Sequence, residues 1–349
     1  MQAATQTSSL KLIETALVSV RNRFVKLVSS RLAVDSPESI EVKYRMKSLF
    51  DNTVTGGKAV RSTLALDSFR ALNPLASTTQ LYTMAECASM LEMMQSFYII
   101  IDDIMDESVT RRGKPCWYKH PNVGLSAIND ALILDAFIEE IMRELYPAHP
   151  QVDRLCSSYQ NARKTTLLGQ LLDTSSVRQP DLFTWDRYEQ LVEMKTSHYS
   201  VFHPIELAML VSDRLDNHSL LSRLAYQIGF LFQSQDDILD VFGDPQITGK
   251  VGTDIQDGKC TWVSVRAVQK LRGKAEYDAF KEHYGKHDDE SVSKIRQMLS
   301  DMRIQEEFSN FEKKFCDKVK HDLDQVPEQI SAIKPVLLAV LESLRNRKK

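Results

Sequence analysis

Apolar residues recur with helical spacing along most of this 349-residue chain. Glycine and proline punctuate turns, and the presence of only 12 glycines and 11 prolines favours long helices over many short strands. No segment predicts a strand. We predict helices near residues 10–32, 38–51, 58–73, 77–106, 125–146, 153–174, 183–213, 216–242, 259–271, 289–300, 303–323 and 328–346.

The sequence has no linker rich in proline, glycine or serine, no low-complexity tract and no clear repeat. We therefore predict one all-α domain over residues 1–349, in which about residues 1–9 form a disordered extension. The alternative is a helical domain followed by a separately packed C-terminal third.

Composition argues against several classes of protein. A net charge of −3 and an even spread of basic residues give no support to a nucleic-acid surface. No apolar run approaches the roughly 20 residues that span a membrane. The five cysteines form no CxxC pair, which favours a reducing, cytoplasmic setting.

The Ser/Thr-rich N-terminus leaves organelle targeting open, but Glu14 and the spacing of Leu10, Ile13, Leu17 and Val20 fit an amphipathic helix better.

Two apolar stretches run into three aspartates each, "FYIIIDDIMD" at 97–106 and "FLFQSQDDILD" at 230–240. On a helix, Asp102 and Asp106 share a face, as do Asp236 and Asp240. Loop signals follow both motifs, so the acids belong to a last turn, where the helix dipole adds to their repulsion. Magnesium suits such patches because it takes few carboxylates and completes its shell with water and phosphates. A lone motif could be a solvated helix face, whereas two copies favour magnesium and a diphosphate.

Cations lie in two glycine-containing segments. Lys58 and Arg61 follow a Gly-Gly pair at a predicted helix start, where backbone N–H groups can also bind an anion. Lys250 and Lys259 lie in the glycine-rich segment after the second aspartate motif. These segments are candidate phosphate-binding loops.

A pair of arginines follows the first aspartate motif. Arg111 and Arg112 could hold phosphate oxygens through paired hydrogen bonds from their guanidinium groups. The alternative is an ion pair back to Asp106 or Glu107.

Taken together, the motifs resemble those of a known family, the farnesyl diphosphate synthases, which are trans-prenyltransferases of the isoprenoid synthase fold. The resemblance runs from about residue 40 to the end of the chain. It implies a helical bundle around a central active-site cavity, and a homodimer. The motifs that carry it are "GGKAVR" (56–61), "DDIMDESVTRRGKPCWY" (102–118), "GQLLD" (169–173), "KTSHYS" (195–200), "FQSQDDILDVFGD" (232–244) and "TGKVGTDIQDGKCTW" (248–262).

The resemblance implies a magnesium-dependent 1'-4 condensation. An allylic diphosphate ionises, isopentenyl diphosphate attacks the allylic cation through its double bond, and a proton is lost. Dimethylallyl diphosphate would give the C10 geranyl diphosphate, and this would give C15 farnesyl diphosphate. Such chemistry requires a dry apolar cavity that protects the cation from water.

The resemblance also implies roles for individual residues. Three magnesium ions would be bound by Asp102, Asp103, Asp106, Asp236, Asp237 and Asp240. The allylic diphosphate would be contacted by Arg111, Lys195, Lys250 and Lys259, with Thr196 and Gln233 facing the developing positive charge. The isopentenyl diphosphate site would comprise Gly57, Lys58, Arg61, Gln95, Arg112, Phe232 and Lys250. The candidate catalytic residues among these are Asp102, Asp103, Asp106, Asp236, Lys195, Thr196 and Gln233.

Two aromatic residues could set product length. Phe97 and Tyr98 precede Asp102 by five and four residues, which places them about 6–7.5 Å down the helix axis at 1.5 Å per residue. We expect them to form the floor of the pocket for the growing tail and to stop growth near C15. The alternative is that both rings only pack in the core.

The chain departs from the family pattern in places. Ala59, Val60 and Ser62 stand where Tyr-Asn and Gly are expected, and Ile101 stands where a small residue is usual, so Ile101 could shorten the product. Alternative functions are a geranyl diphosphate synthase that stops at C10 and a non-catalytic subunit of a prenyltransferase. The presence of all six aspartates argues against the second.

Overall fold

The computed structural model describes residues 2–244 and 252–345, with the side chains of residues 2–8 and 329 excepted, so the predicted site residue Lys250 lies outside the described residues. The regular secondary structure of the described residues is almost entirely helical, which confirms the all-α prediction. None of these helices is long and apolar enough to cross a membrane. The α-helices are α1 (Gln2–Ser29), α2 (Pro37–Leu49), α3 (Val60–Leu72), α4 (Thr78–Met105), α5 (Ala127–Ala136), α6 (Ile138–Leu145), α7 (Val152–Ser176), α8 (Trp185–Val192), α9 (His203–Val211), α10 (His218–Phe242), α11 (Asp254–Asp257), α12 (Trp262–Leu271), α13 (Glu276–His283), α14 (Asp289–Asp301), α15 (Ile304–Asp324) and α16 (Lys334–Arg345).

Tighter and wider helical turns connect some of these helices. Two segments are π-helices, π1 (Phe50–Val54) and π2 (Glu193–Phe202). Four are single 3₁₀ turns, at Trp117–Lys119, Gly124–Ser126, Pro180–Leu182 and Glu328–Ile330.

Several predicted boundaries differ from the structure. Helix α1 begins at Gln2, so the segment expected to be a disordered extension is helical from that residue. The segment predicted at 125–146 is divided at Phe137, which caps both α5 and α6. Helices α11 and α13 were not predicted, because each is too short for its apolar spacing to show a period.

The expectation of no strand was wrong at one place. A two-residue strand β1 (Thr110–Arg111) pairs antiparallel with β2 (Lys114–Pro115). The turn between them is Arg112–Gly113, and both residues have positive φ, as a two-residue hairpin turn requires. Strands of two residues are too short for an alternating pattern to reveal them.

Among the described residues, the chain forms two compact units. The first comprises the chain up to Asn161 together with His203–Leu215, and the second comprises Ala162–Phe202 and the chain from Asp216 onward. The organisation as one domain stays a prediction.

Helix α4 is the central helix of the first unit. It begins in a capping box, in which Ser77 and Gln80 satisfy each other's free backbone N–H groups. Every residue from Met84 to Met94 is buried, because α1, α3, α5 and α9 all pack against it. A helix that is enclosed on all sides can present only its ends to a substrate, and the first aspartate motif lies at its C-terminal end.

In the second unit, α10 packs against π2, α12, α15 and α16. The close contact between α7 and π2 requires a glycine. A Cβ atom on Gly169 would lie 2.3 Å from the backbone nitrogen of Lys195, which no side chain could accommodate without moving the backbone. This contact places Lys195 beside α7.

Candidate active site

The first aspartate motif occupies the last turn of α4, as predicted. The helix ends at Met105, and Asp106 is the C-cap residue, its N–H donating to the Asp102 carbonyl at 2.8 Å. Asp102 and Asp106 are partly exposed, while Asp103 is only 3% exposed. The three carboxylates therefore divide into a partly exposed pair and one buried group.

The β1–β2 hairpin turns Arg111 back onto this motif. Its Nε and Nη2 donate to Oδ1 of Asp103 at 2.9 and 2.6 Å, and Nη2 lies 3.6 Å from Asp102. Burial lowers the pKa of Arg111, but the Asp103 carboxylate outweighs it and raises the pKa above its ordinary value. The ion pair considered for Arg111 therefore forms, with Asp103 and Asp102 rather than with Asp106 or Glu107.

The residues predicted for the isopentenyl diphosphate site in the first unit meet in two pairs. Nη1 of Arg61 donates to Oε1 of Gln95 at 3.1 Å. The Arg112 guanidinium lies against Gly57, where a Cβ atom would be 2.9 Å from Nη1. Lys58 is exposed and precedes α3, which begins at Val60 rather than at Lys58.

The second aspartate motif lies near the end of α10. Asp236 and Asp240 are partly exposed, and Oδ1 of Asp240 accepts the N–H of Asp254 at 2.9 Å. Phe232, which is also on α10, is half-buried. This end of α10 thus repeats the exposed pair seen at the end of α4.

Asp237 is buried and accepts three hydrogen bonds. The donors are the Tyr188 hydroxyl at 2.6 Å, the Trp262 N–H at 2.8 Å and the Gln233 amide at 2.9 Å. Burial raises the pKa of Asp237 to about 7, although the three donors act in the opposite direction. Tyr188 and Trp262 were not predicted, since each lies far from Asp237 in sequence.

Thr196 and Gln233, which the resemblance placed near the developing positive charge, are hydrogen-bonded to each other. The Thr196 hydroxyl donates to Oε1 of Gln233 at 2.7 Å, and the amide nitrogen of Gln233 donates to Asp237. The carbonyl oxygen and the amide nitrogen of Gln233 are therefore both hydrogen-bonded, which fixes the orientation of its side chain.

Lys195 and Lys259 share a carboxylate that sequence analysis did not assign. Nζ of Lys195 lies 2.5 Å and Nζ of Lys259 3.6 Å from Oδ2 of Asp173. Burial alone would raise the pKa of Asp173, but the two lysines outweigh it, so the pKa lies below its ordinary value. The sequence feature that could have identified Asp173 is its position at the end of the motif "GQLLD", which was used only as support for the family resemblance.

The two aromatic residues before the first motif are in contact. The ring centroids of Phe97 and Tyr98 are 5.1 Å apart. Phe97 is buried and Tyr98 is half-buried. Their contribution to a pocket floor stays a prediction.

Within residues 2–244 and 252–345, no three acidic, histidine or cysteine side chains are grouped closely enough to form a metal site by themselves. The four partly exposed aspartates nevertheless have the donor chemistry that magnesium prefers, since it needs only one or two carboxylates and fills its shell with water and phosphate oxygens. Asp103 and Asp237 are occupied by protein donors. The pair Asp102 and Asp106 in the first unit and the pair Asp236 and Asp240 in the second unit each have donor chemistry that fits magnesium.

Comparison with known proteins gave consistent matches over most of the chain. The family model described as Polyprenyl synthetase matches residues 43–302. The farnesyl pyrophosphate synthase of Panax ginseng is 32% identical over 311 residues, covering 87% of this chain and 90% of the relative. The human farnesyl pyrophosphate synthase is 33% identical over 325 residues, covering 90% and 76%. A structure of T. brucei farnesyl diphosphate synthase with risedronate has a TM-score of 0.86 at 29% identity, covering 97% of this chain and 100% of that one.

Proposed function

Because the chain belongs to the polyprenyl synthetase family and is a prenyltransferase, we propose that it adds isopentenyl diphosphate to dimethylallyl and then to geranyl diphosphate, giving farnesyl diphosphate. The observation that carries the proposal is the similarity to farnesyl pyrophosphate synthases over nearly their whole length. The intact aspartate and cation motifs support it, since a non-catalytic subunit would not need them.

Asp102, Asp106, Asp236 and Asp240 are the proposed magnesium ligands, with Asp103 and Asp237 supporting them from inside the protein. Three bound magnesium ions would neutralise the negative charge of the departing diphosphate. Asp103 orients Arg111 through the two hydrogen bonds described above, so the guanidinium is held beside the partly exposed acids. Asp237 orients Gln233 by accepting a hydrogen bond from its amide nitrogen.

The positive charge that develops on the allylic carbon requires nearby oxygen atoms. The Thr196 hydroxyl is held by Gln233, and its oxygen lone pairs would stabilise this charge. Lys195 and Lys259 would contact the allylic diphosphate, while Asp173 keeps both ammonium groups close to each other in the free enzyme. A third predicted contact, Lys250, lies outside the described residues.

Isopentenyl diphosphate keeps its diphosphate during the reaction. Its site therefore needs positively charged side chains but no metal ion to stabilise a leaving group. Lys58, Arg61 and Arg112 are the proposed cations, with Gln95 orienting Arg61. Gly57 lets the Arg112 guanidinium approach the backbone. Phe232 is proposed as an apolar contact for the isoprenyl group. The protein is proposed to act in the cytoplasm as a homodimer.

A direct assay tests this function. Purified protein is incubated with dimethylallyl or geranyl diphosphate, labelled isopentenyl diphosphate and magnesium, and the products are separated by chain length. We expect C15 as the main product and no turnover when the divalent cation is chelated. A C10 product would instead indicate a geranyl diphosphate synthase, and no product with either allylic substrate would refute the proposal.

A further inference from the structure

The β1–β2 hairpin, which carries Arg111 and Arg112, has no buried residue of its own. Every residue in 109–115 is exposed or partly exposed, and Cys116 and Trp117 are the first buried residues after it. A single pair of two-residue strands is at best marginally stable in water. The position of the two arginines therefore depends on what holds the ends of the hairpin.

Backbone hydrogen bonds close the base of the hairpin. The N–H of Cys116 donates to the Val109 carbonyl at 3.0 Å. The Tyr118 hydroxyl donates to the Ser108 carbonyl at 2.8 Å. The N–H of Ser108 in turn donates to the Asp103 carbonyl at 2.9 Å. These bonds attach one end of the hairpin to the end of α4, but they all lie within the stretch 103–118 and do not reach another helix.

A contact with a separate helix is made through Asp130 of α5. Asp130 is 2% exposed, and its Oδ2 accepts the indole Nε1–H of Trp117 at 2.8 Å. Trp117 is 6% exposed, so water has little access to replace this bond if it is lost. Because Trp117 follows the hairpin directly in the chain, the bond links the hairpin to α5.

Arg45 of α2 fixes the carboxylate that makes this bond. Its Nε donates to Oδ1 of Asp130 at 2.8 Å, and its Nη2 donates to Oδ2 at 2.7 Å. A buried carboxylate needs such a partner, and two parallel bonds from one guanidinium set the plane of the carboxylate. Oδ2 is therefore held in the direction of the Trp117 indole.

We propose that Asp130 is a positioning residue that holds the β1–β2 hairpin, and with it Arg111 and Arg112, through the indole of Trp117. The part of the hairpin in diphosphate binding rests on the proposed function, whereas its attachment to α5 does not. Guanidinium groups that are already in place lose less conformational entropy when a diphosphate binds. Neither Asp130 nor Trp117 was among the residues predicted for the site.

Trypsin cleavage of the folded protein measures the attachment directly. The hairpin contains two adjacent cleavage sites, after Arg111 and after Arg112, and cleavage of a folded protein follows the population in which the segment is open. Trp117→Phe keeps an aromatic ring and removes the N–H donor, and Asp130→Asn leaves one oxygen for two donor groups. We expect cleavage at these sites to be about three- to tenfold faster in Trp117→Phe, the loss typical of one hydrogen bond, and faster still in Asp130→Asn. Cleavage of Trp117→Phe at the wild-type rate overturns the proposal.

Glu86→Gln is the matched control for general destabilisation. Glu86 is also a buried acid of the first unit, at 6% exposed, but its partners are on α1. It accepts the Ser19 hydroxyl at 2.7 Å and lies 3.9 Å from Arg23. Well below the unfolding midpoint, Glu86→Gln should leave cleavage in the hairpin unchanged. Equal acceleration in Glu86→Gln and Asp130→Asn would show that any loss of stability opens the hairpin and would overturn the proposal.

Steady-state kinetics tests the consequence for substrate binding. We expect Trp117→Phe to raise KM for isopentenyl diphosphate about three- to tenfold, because Arg112 is a proposed contact of this substrate, and Glu86→Gln to leave it unchanged. In an Arg112→Ala background, Trp117→Phe should have no further effect on this KM, whereas additive effects contradict action through the hairpin. Faster cleavage of Trp117→Phe with an unchanged KM would overturn the positioning role. If the wild-type protein does not use isopentenyl diphosphate, the proposed function fails, and the cleavage rates still decide whether Asp130 holds the hairpin.

Discussion

Replacing Asp173 by asparagine should destabilise the folded protein at neutral pH and much less in acid. The Asp173 side chain is 7% exposed, and the side chains of Lys195 and Lys259 around it are 27% and 11% exposed. Removing one partner of a buried ion pair costs about 3–5 kcal/mol. Because Lys195 is partly solvated and both lysines have other interactions, we expect the lower end, about 3 kcal/mol.

The pH dependence follows from the direction of the pKa shift. The pKa of Asp173 in the folded protein lies below its ordinary value of 3.8, so the folded state binds this proton less readily than the unfolded state. The stabilisation is therefore complete above the ordinary pKa and is lost as the pH falls through the lowered one. Over the range from about pH 7 to about 3, the difference between the variant and the wild type should stay constant until the pH approaches the ordinary pKa of 3.8 and should shrink below it.

The measurement is the thermal unfolding midpoint of both proteins across this pH range. A loss of about 3 kcal/mol corresponds to about 4 °C in a chain of this size, because the unfolding entropy is roughly 2.1 cal/mol/K per residue. Asp278→Asn is the control, because Asp278 forms an exposed pair with Lys281 and should contribute less than about 1 kcal/mol. The reasoning is refuted if both variants lose the same stability at neutral pH, or if the Asp173→Asn difference is independent of pH.

Three other outcomes are expected. Asp102→Ala or Asp236→Ala should lower turnover by several orders of magnitude with unchanged circular dichroism, and near-normal turnover would contradict the metal-ligand assignment. Phe97→Ala with Tyr98→Ala should shift the products towards C20 and longer, and a folded double variant that still stops at C15 would place the pocket floor elsewhere. Gly169→Ala should lower the unfolding midpoint by several degrees, since its Cβ would meet backbone atoms at 2.3–2.7 Å; an unchanged midpoint would show that the two helical segments separate easily.

Local sequence patterns were sufficient to locate most helices and both exposed carboxylate pairs. The spacing of Asp102 and Asp106 determines that they share a helix face, because helix geometry depends only on the chain between them. The loop signals after each motif correctly placed it near the C-terminal end of a helix, but only the first motif lies in the last turn, since α10 continues to Phe242, six residues beyond Asp236. The same patterns did not reveal the β1–β2 hairpin or the π-helix that carries Lys195 and Thr196, since neither follows the regular helical period.

Tertiary structure decided which aspartate of each motif is buried and what it binds. Asp103 and Asp237 were indistinguishable from their neighbours in sequence, yet Arg111 engages the first, and Tyr188 and Trp262 engage the second. It also brought Asp173 to Lys195, through a contact between two helical segments that only a glycine permits. These partners lie 8 to 49 residues apart in the chain. The residues of a motif are therefore predictable from sequence because their spacing alone sets their geometry, whereas the partners of a buried charge depend on how separate helices pack.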